Sequence, residues 1–191
     1  MTFRVIVKAM PERQECIDYL TKNLPLSEFC FDQKKCAFDT FLRSLQMAGD
    51  DAVIHCEEDI IITTDFVAKA QKVINMLPNN VIQFFSMRKN DTSEGSRWCH
   101  GSDFLMNQCF YFPKFYSSRL HKFYSLWQKT SLAKKNPTGT DMFVRWFLTK
   151  TKQKYWIHCP NLVDHREGIS MIDPRRARTN RQSFTFVDPV I

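Results

Sequence analysis

No stretch of this 191-residue chain approaches the roughly 20 consecutive apolar residues that a membrane-spanning helix needs. The opening Thr2–Lys8 alternates like a strand and is too short for the apolar core of a signal peptide. Glycine is scarce, with five residues and no Gly-x-Gly cluster, so there is no glycine-rich loop to cradle a phosphate. That weighs against a nucleotidyltransferase, which also wants a third carboxylate beside its Mg²⁺ pair. The seven cysteines are odd in number and irregularly spaced, which fits free thiols in a reducing compartment better than a disulfide framework. Three Cys/His dipeptides occur, His55-Cys56, Cys99-His100 and His158-Cys159, but none has the Cys-x-x-Cys spacing of a structural zinc site. Neighbours on a strand point opposite ways, so each dipeptide offers one ligand at most; buried thiols beside core histidines are the expectation. These absences together predict a cytoplasmic protein without a membrane anchor.

Apolar and aromatic residues are plentiful. Hydrophobic residues make up 43% of the chain, with 17 Phe and 4 Trp, enough for one aromatic-rich core. The net charge of +7 is uneven: residues 1–80 carry −3 and residues 81–191 carry +10. A basic second half predicts a polyanionic ligand or partner there, although basic surfaces also serve solubility.

Periodicity then lays out the elements. After the first strand, Met10-Pro-Glu-Arg13 opens a helix to Leu24, with Pro11 tolerated in the first turn. Cys36, Phe38, Phe41, Leu42 and Leu45 mark an amphipathic helix over 32–47. Thr63-Thr-Asp65 predicts the cap of a helix over 66–77. Val81–Phe85, Gln108–Phe112 and Lys154–His158 read as strands, and 113–128 and 138–150 as helices. Residues 88–102 read as a flexible loop, and the chain from Pro160 onward as irregular and basic. Strands alternating with helices predict an α/β/α sandwich with a mainly parallel central sheet. Residues 1–172 form the expected domain and 173–191 a basic tail.

The most telling stretch is Ala52-Val-Ile-His-Cys-Glu-Glu-Asp-Ile-Ile-Ile62, where an apolar strand runs into three carboxylates. On an extended backbone Glu57 and Asp59 share one face and Glu58 takes the other. Two hard oxygen donors on one face suit Mg²⁺ or Mn²⁺, above all an ion shared with a diphosphate. An ordinary strand end turning acidic at the surface is the competing explanation. Ligands of parallel sheets gather at the carboxyl ends of the strands, where this cluster is expected to lie.

The order strand, Met10-Pro-Glu-Arg13, helix, then Glu57-Glu-Asp-Ile60 followed by Asp65-Phe66, resembles glycosyltransferases of the GT-A fold. The nearest likeness is to the lipooligosaccharide glycosyltransferase family, whose DXD segment is typically Glu-Asp-Asp-Val; Glu58 stands where that family usually has Asp. Cys159-Pro-Asn-Leu-Val-Asp-His165-Arg-Glu-Gly168 resembles the family's Pro-x-Leu-Val-x-His segment. The resemblance implies a Rossmann-like GT-A fold and a metal-dependent transfer of sugar from a nucleotide-diphosphate sugar, a UDP-sugar being expected. It implies Asp59 as metal ligand, Glu57 as a ligand directly or through water, and Glu58 facing the sugar or its ribose. It implies His165 as a third ligand, against the alternative of a histidine merely packed by a turn. Arg13 matches the first strand–helix turn that contacts the nucleotide, though an exposed helix arginine reads the same way. The family pattern gives Asp141 the role of base for the acceptor hydroxyl, with Asp103 as runner-up; Asp141 also suits an ordinary helix start. Arg175, Arg176, Arg178 and Arg181 form a run that either folds over the diphosphate or remains a solvated tail.

The acceptor is less legible. The family implies an envelope glycan. Lys89, Arg97, Lys114, Arg119, Lys122, Lys134 and Lys135, near Trp98, Phe115, Tyr116 and Trp127, suit a phosphate backbone instead. Compact GT-A enzymes that resemble this chain occur in bacteriophages and glycosylate hydroxymethylated bases in DNA, which makes modified DNA in the host cytoplasm the favoured acceptor. No obligate protein partner is implied. A non-enzymatic basic nucleic-acid-binding module is the competing class.

Overall fold

The computed structural model describes residues 3–168 and 181–190. In chain order the elements are β1 (Arg4–Ala9), α1 (Gln14–Asn23), β2 (Glu28–Phe31), α2 (Ala37–Ala48), β3 (Val53–Glu57), β4 (Ile60–Ile62), α3 (Phe66–Met76), β5 (Ile82–Gln83), α4 (Asp91–Glu94), β6 (Arg97–His100), a 3₁₀ turn (Gly101–Asp103), β7 (Cys109–Phe112), α5 (Tyr116–Trp127), α6 (Ser131–Lys135), α7 (Thr140–Lys150), β8 (Lys154–Ile157) and β9 (Val163–His165). Seven strands form one sheet in the order β2-β1-β3-β7-β5-β8-β6, and β4 pairs with β9 in a separate two-stranded sheet. Strands β2, β1, β3, β5 and β8 run one way while β7 and β6 run the other, so the sheet is mixed but mainly parallel. The chain is an α/β protein whose central sheet is flanked by helices.

Period-two alternation explains the layering. Val5, Val7 and Ala9 of β1 face a core filled by Ile17 and Leu20 of α1 and by Phe66, Ala70, Val73 and Ile74 of α3. Ile6 points the other way, into a core built from Phe38, Phe41 and Leu45 of α2, Leu120 of α5 and Phe143, Val144 and Phe147 of α7. Each fully buried Phe in that layer contributes about 1.5–3 kcal/mol. His55 belongs to this second core, fully buried between Ser44 and Ser117 with its ring 5.4 Å from that of Phe110. Burial first, then the charges of Lys8 and Arg4, push its pKa well below the usual histidine range. The Cys56 and Cys109 thiols face each other at 3.5 Å across β3 and β7, and all seven cysteines are free. Core histidine and buried thiols are what the Cys/His dipeptides led us to expect at this position.

Several local expectations change. α4 and β6 form within residues 88–102, which read as a flexible loop, and β2 and α6 fall in stretches to which the sequence pattern assigns no element. Residues after Pro160 are not irregular throughout, because β9 pairs antiparallel with β4, placing His165 opposite Ile60. The helix starts at Thr63–Asp65 and at Thr138–Asp141 form as expected, but Asp65 makes no side-chain bond to its helix, and the cap position of the other falls on Gly139, which has no side chain to offer. Residues 181–190 run back along the domain: Val190 N–H donates to Ile62 O at 3.0 Å, Thr64 N–H to Asp188 O at 2.9 Å, and Ser183 N–H to the Asp164 carboxylate at 2.7 Å. Among the described residues no helix is long and apolar enough to cross a membrane.

Candidate active site

The carboxyl ends of β1 and β3 open onto a cleft of about 570 Å³. Its walls come from distant parts of the chain: Lys8 and Arg13, the three carboxylates after β3, Leu105–Gln108, Thr138–Asp141, and His165 with Arg181. This is where a mainly parallel sheet gathers its ligands.

The acidic triplet does not keep strand alternation. β3 ends at Glu57 and the backbone bends through Glu58 and Asp59 before β4 begins. Glu57 therefore keeps the parity of Ile6 and Lys8, and its Oε1 takes the Lys8 ammonium at 2.7 Å. Asp59 turns instead to Arg13 Nη1 at 2.7 Å and His165 Nε2 at 3.3 Å. Glu58, expected on the opposite face, also meets Arg13, at 3.3 Å from Nε, and is buried. The shared face proposed for Glu57 and Asp59 is thus replaced by two adjoining ion clusters, because a bend frees the backbone from period two.

Each buried acid has its compensating cation. Lys8 lies buried beside the rings of Phe41 and Phe110, 5.1 and 5.5 Å from their centroids. Burial raises the Glu57 carboxyl pKa despite Lys8. Burial, reinforced by Asp59 and Glu57, pushes Glu58 up to about 8, with Arg13 opposing. At Asp59 burial also works upward, but His165 and Arg13 outweigh it and hold the carboxyl below its usual range. The cluster thus sets Asp59, held below the usual carboxylate range, against Glu57 and Glu58, which burial raises.

His165 arrives through β9. Its backbone N–H donates to the Asp164 carboxylate at 2.8 Å, and its Nδ1 lies on the Arg166 carbonyl oxygen. A carbonyl only accepts, so Nδ1 carries a proton; Nε2 points at Asp59 and Arg181, donating to the Asp59 carboxylate when the ring is doubly protonated and offering its lone pair when it is neutral. A ring nitrogen aimed this way by a backbone carbonyl is how metal-binding histidines are usually oriented. The 3.3 Å between Nε2 and Asp59 Oδ2 matches the roughly 3 Å between neighbouring donors of an octahedral ion with bonds near 2.1 Å. Glu57, with 30% of its side chain exposed, adjoins them. Among the described residues no three His, Cys, Asp or Glu side chains close around one point. Two protein donors nonetheless suit Mg²⁺-type ions, which keep waters and substrate phosphates as their other ligands. Asp59 and His165 are the residues that would hold such an ion, with Glu57 within reach through water.

Asp141 opens α7 and lines the same cleft, its Oδ1 accepting the Met142 N–H at 2.9 Å. Asp103 sits apart and exposed in the 3₁₀ turn, outside the cleft lining, with its carbonyl bonded to Arg88 and Tyr155. Arg175, Arg176 and Arg178 lie outside the described residues, whereas Arg181 reaches the cleft and bonds His165 Nε2. Asn107 and Gln108 are wall residues that pattern reading missed. The Asn107 amide N–H donates to Thr140 Oγ1 at 2.9 Å, which orients its Oδ1 away from that bond; this oxygen and Gln108 Oε1 are buried acceptors with no partner among the described residues. Of the residues suited to a phosphate backbone, Arg97 is committed to Asp91 and Glu94, and Trp127 and Tyr116 are buried.

The chain matches no protein-family model, and no curated protein is significantly similar to it.

Proposed function

We propose that the chain is a glycosyltransferase that moves a sugar from a nucleotide-diphosphate sugar to a hydroxyl acceptor with the help of a divalent ion. The observation that carries this reading is the meeting of Asp59 with His165, from segments more than a hundred residues apart, at 3.3 Å in a cleft at the carboxyl end of the sheet. These are the two segments that resemble the lipooligosaccharide glycosyltransferase family, and such a meeting is not required of an acidic strand end that is merely surface.

A bound Mn²⁺ or Mg²⁺ would stabilise the charge that grows on the departing diphosphate. The protein's own groups have complementary tasks. Arg13 and Arg181 supply positive charge for the phosphates. Asn107 Oδ1 and Gln108 Oε1 would accept hydrogen bonds from the sugar hydroxyls, giving two unpartnered buried oxygens the donors they lack. In a direct displacement the Asp141 carboxylate takes the acceptor proton, the freed oxygen bonds the anomeric carbon, and the bond to the diphosphate oxygen breaks with its electron pair leaving on the diphosphate. The acceptor in this reading is a hydroxymethylated base in DNA, favoured by the basic charge of the second half; an envelope glycan is the alternative.

Calorimetric titration of nucleoside diphosphates with and without Mn²⁺ tests the donor site. Binding that requires Mn²⁺ and is lost in Asp59→Asn supports it. Absence of binding to every nucleotide, with metal or without, overturns the transferase reading in favour of a binding module.

A further inference from the structure

A second cleft, of about 470 Å³, opens at the opposite end of the sheet. It is bounded by Asn79–Val81 just before β5, by Gln153 and Lys154 at the start of β8, by Trp98 of β6, and by Pro113 and Lys114 after β7. The segments beside β5, β7 and β8 lie at the amino ends of the parallel strands, and Trp98 stands further along the sheet edge, paired with Trp156. The five residues of β3, at about 3.3 Å each, put roughly 16 Å of sheet between this cleft and the carboxylates.

Its chemistry is the reverse of the first. Lys114, Arg119 and Lys154 line it, and among the described residues no Asp or Glu does. None of the three makes an ion pair among the described residues, in contrast to Lys8, Arg13 and Arg97. Arg119 is braced with its guanidinium 5.9 Å from the Phe147 ring. Trp98, 43% exposed, meets Trp156 at an interplanar angle of 72° with centroids 5.4 Å apart, and part of its side chain is open to solvent. Tyr116 also lines the cleft; it is 4% exposed, and its hydroxyl has no hydrogen-bond partner among the described residues. A buried hydroxyl without a partner costs about 1–3 kcal/mol, a cost that a ligand acceptor reaching it would relieve.

Cations without an ion pair among the described residues, beside a partly exposed indole and a stranded donor, fit phosphates joined to stacking bases. We propose that this cleft binds single-stranded nucleic acid, the phosphates on Lys114, Arg119 and Lys154 and one base on Trp98. The site does not depend on the transferase reading: a protein with no donor site could hold nucleic acid here. If the acceptor is DNA, this cleft anchors the strand behind the sheet.

A fluorescein-labelled dT oligonucleotide titrated into the full chain tests the proposal, with tryptophan emission followed in a parallel titration with unlabelled dT. Binding should quench emission, and three phosphate contacts predict a log–log salt slope of about −2, hence roughly a 20-fold loss from 50 to 200 mM salt. Lys114→Glu and Arg119→Glu, both at exposed positions, should each weaken binding about tenfold. Trp98→Phe should retain most affinity while losing most of the quench. Saturating the carboxylate cleft with Mn²⁺ and nucleoside diphosphate, or introducing Asp59→Asn, should leave oligonucleotide affinity unchanged. Unaltered affinity in both charge reversals overturns the site, as does competition by nucleoside diphosphate. Equal binding of inorganic polyphosphate without quench overturns the nucleic-acid assignment. Failure of the donor titration with retained oligonucleotide binding overturns only the transferase.

Discussion

Glu58 is the residue whose setting most contradicts its chemistry: a carboxyl buried beside two other carboxyls, with Arg13 at 3.3 Å as its cation. Its pKa of about 8 stands above the ordinary 4.5, so between those values the folded chain keeps a proton that the unfolded chain has released. Stability should therefore fall as pH rises through that window and level off above it, by an amount on the order of a few kcal/mol. Denaturant unfolding at pH 5 and pH 8 measures the difference, and Glu58→Gln should flatten it; an unchanged slope in that variant would assign the effect elsewhere. The sequence displayed the acids plainly, since three carboxylates at the end of an apolar strand demand an explanation. It did not display their cations. Lys8 and Arg13 lie about 45–50 residues before their partners, and only the parallel pairing of β1 with β3 and the start of α1 bring them there. The face assignment failed for a local reason, because period two ends where the backbone bends.

The elements that periodicity found are those with long apolar repeats, such as α2, α7 and β7. The ones it missed are short and mixed in character. β2 and β6 are four-residue strands at the two edges of the sheet, where one side needs no partner and polar residues such as Arg97 and His100 are tolerated. β9 was visible as a motif and invisible as a strand, since three residues give too little alternation to read. One glycine shows how β6 is joined to the layer beneath. Gly101 begins the 3₁₀ turn after β6, and a Cβ there would stand 2.6 Å from Leu148 Cβ and 2.7 Å from the Gln153 carbonyl oxygen. A backbone oxygen does not swing aside as a side-chain tip does, so Gly101→Ala must move the turn away from α7. We expect a loss of about 1–3 kcal/mol, seen as a lower Tm, with Mn²⁺-dependent nucleotide binding retained because the carboxylates lie at the other end of the sheet. Gly95→Ala, with nothing within 4 Å of its Cβ but φ at +62°, separates backbone strain from steric overlap.

The molecule divides its charge along the sheet, with carboxylates at one end and, at the other, cations that make no ion pair among the described residues, a division that the −3 and +10 halves of the sequence foreshadow without locating. The described carboxyl-terminal residues blur that division at one point. Residues 181–190 are strapped to the β4–β9 pair through Ser183, Asp188 and Val190, and this delivers Arg181 to His165 Nε2. A guanidinium on that nitrogen takes the position that a metal ion would need, while its charge favours the phosphates that would accompany the ion. Metal and diphosphate should therefore respond to Arg181 in opposite directions. In Arg181→Ala we expect Mn²⁺ alone to bind about tenfold more tightly, because a cation a few Å from the donor pair has been removed, and nucleoside diphosphate to bind more weakly at saturating Mn²⁺. Calorimetry with each ligand separately reads the two effects. Both affinities falling together would mean that Arg181 chiefly holds β9 in place. Neither changing would mean that Arg181 and the ion occupy different places, and that His165 does not hold the metal through Nε2.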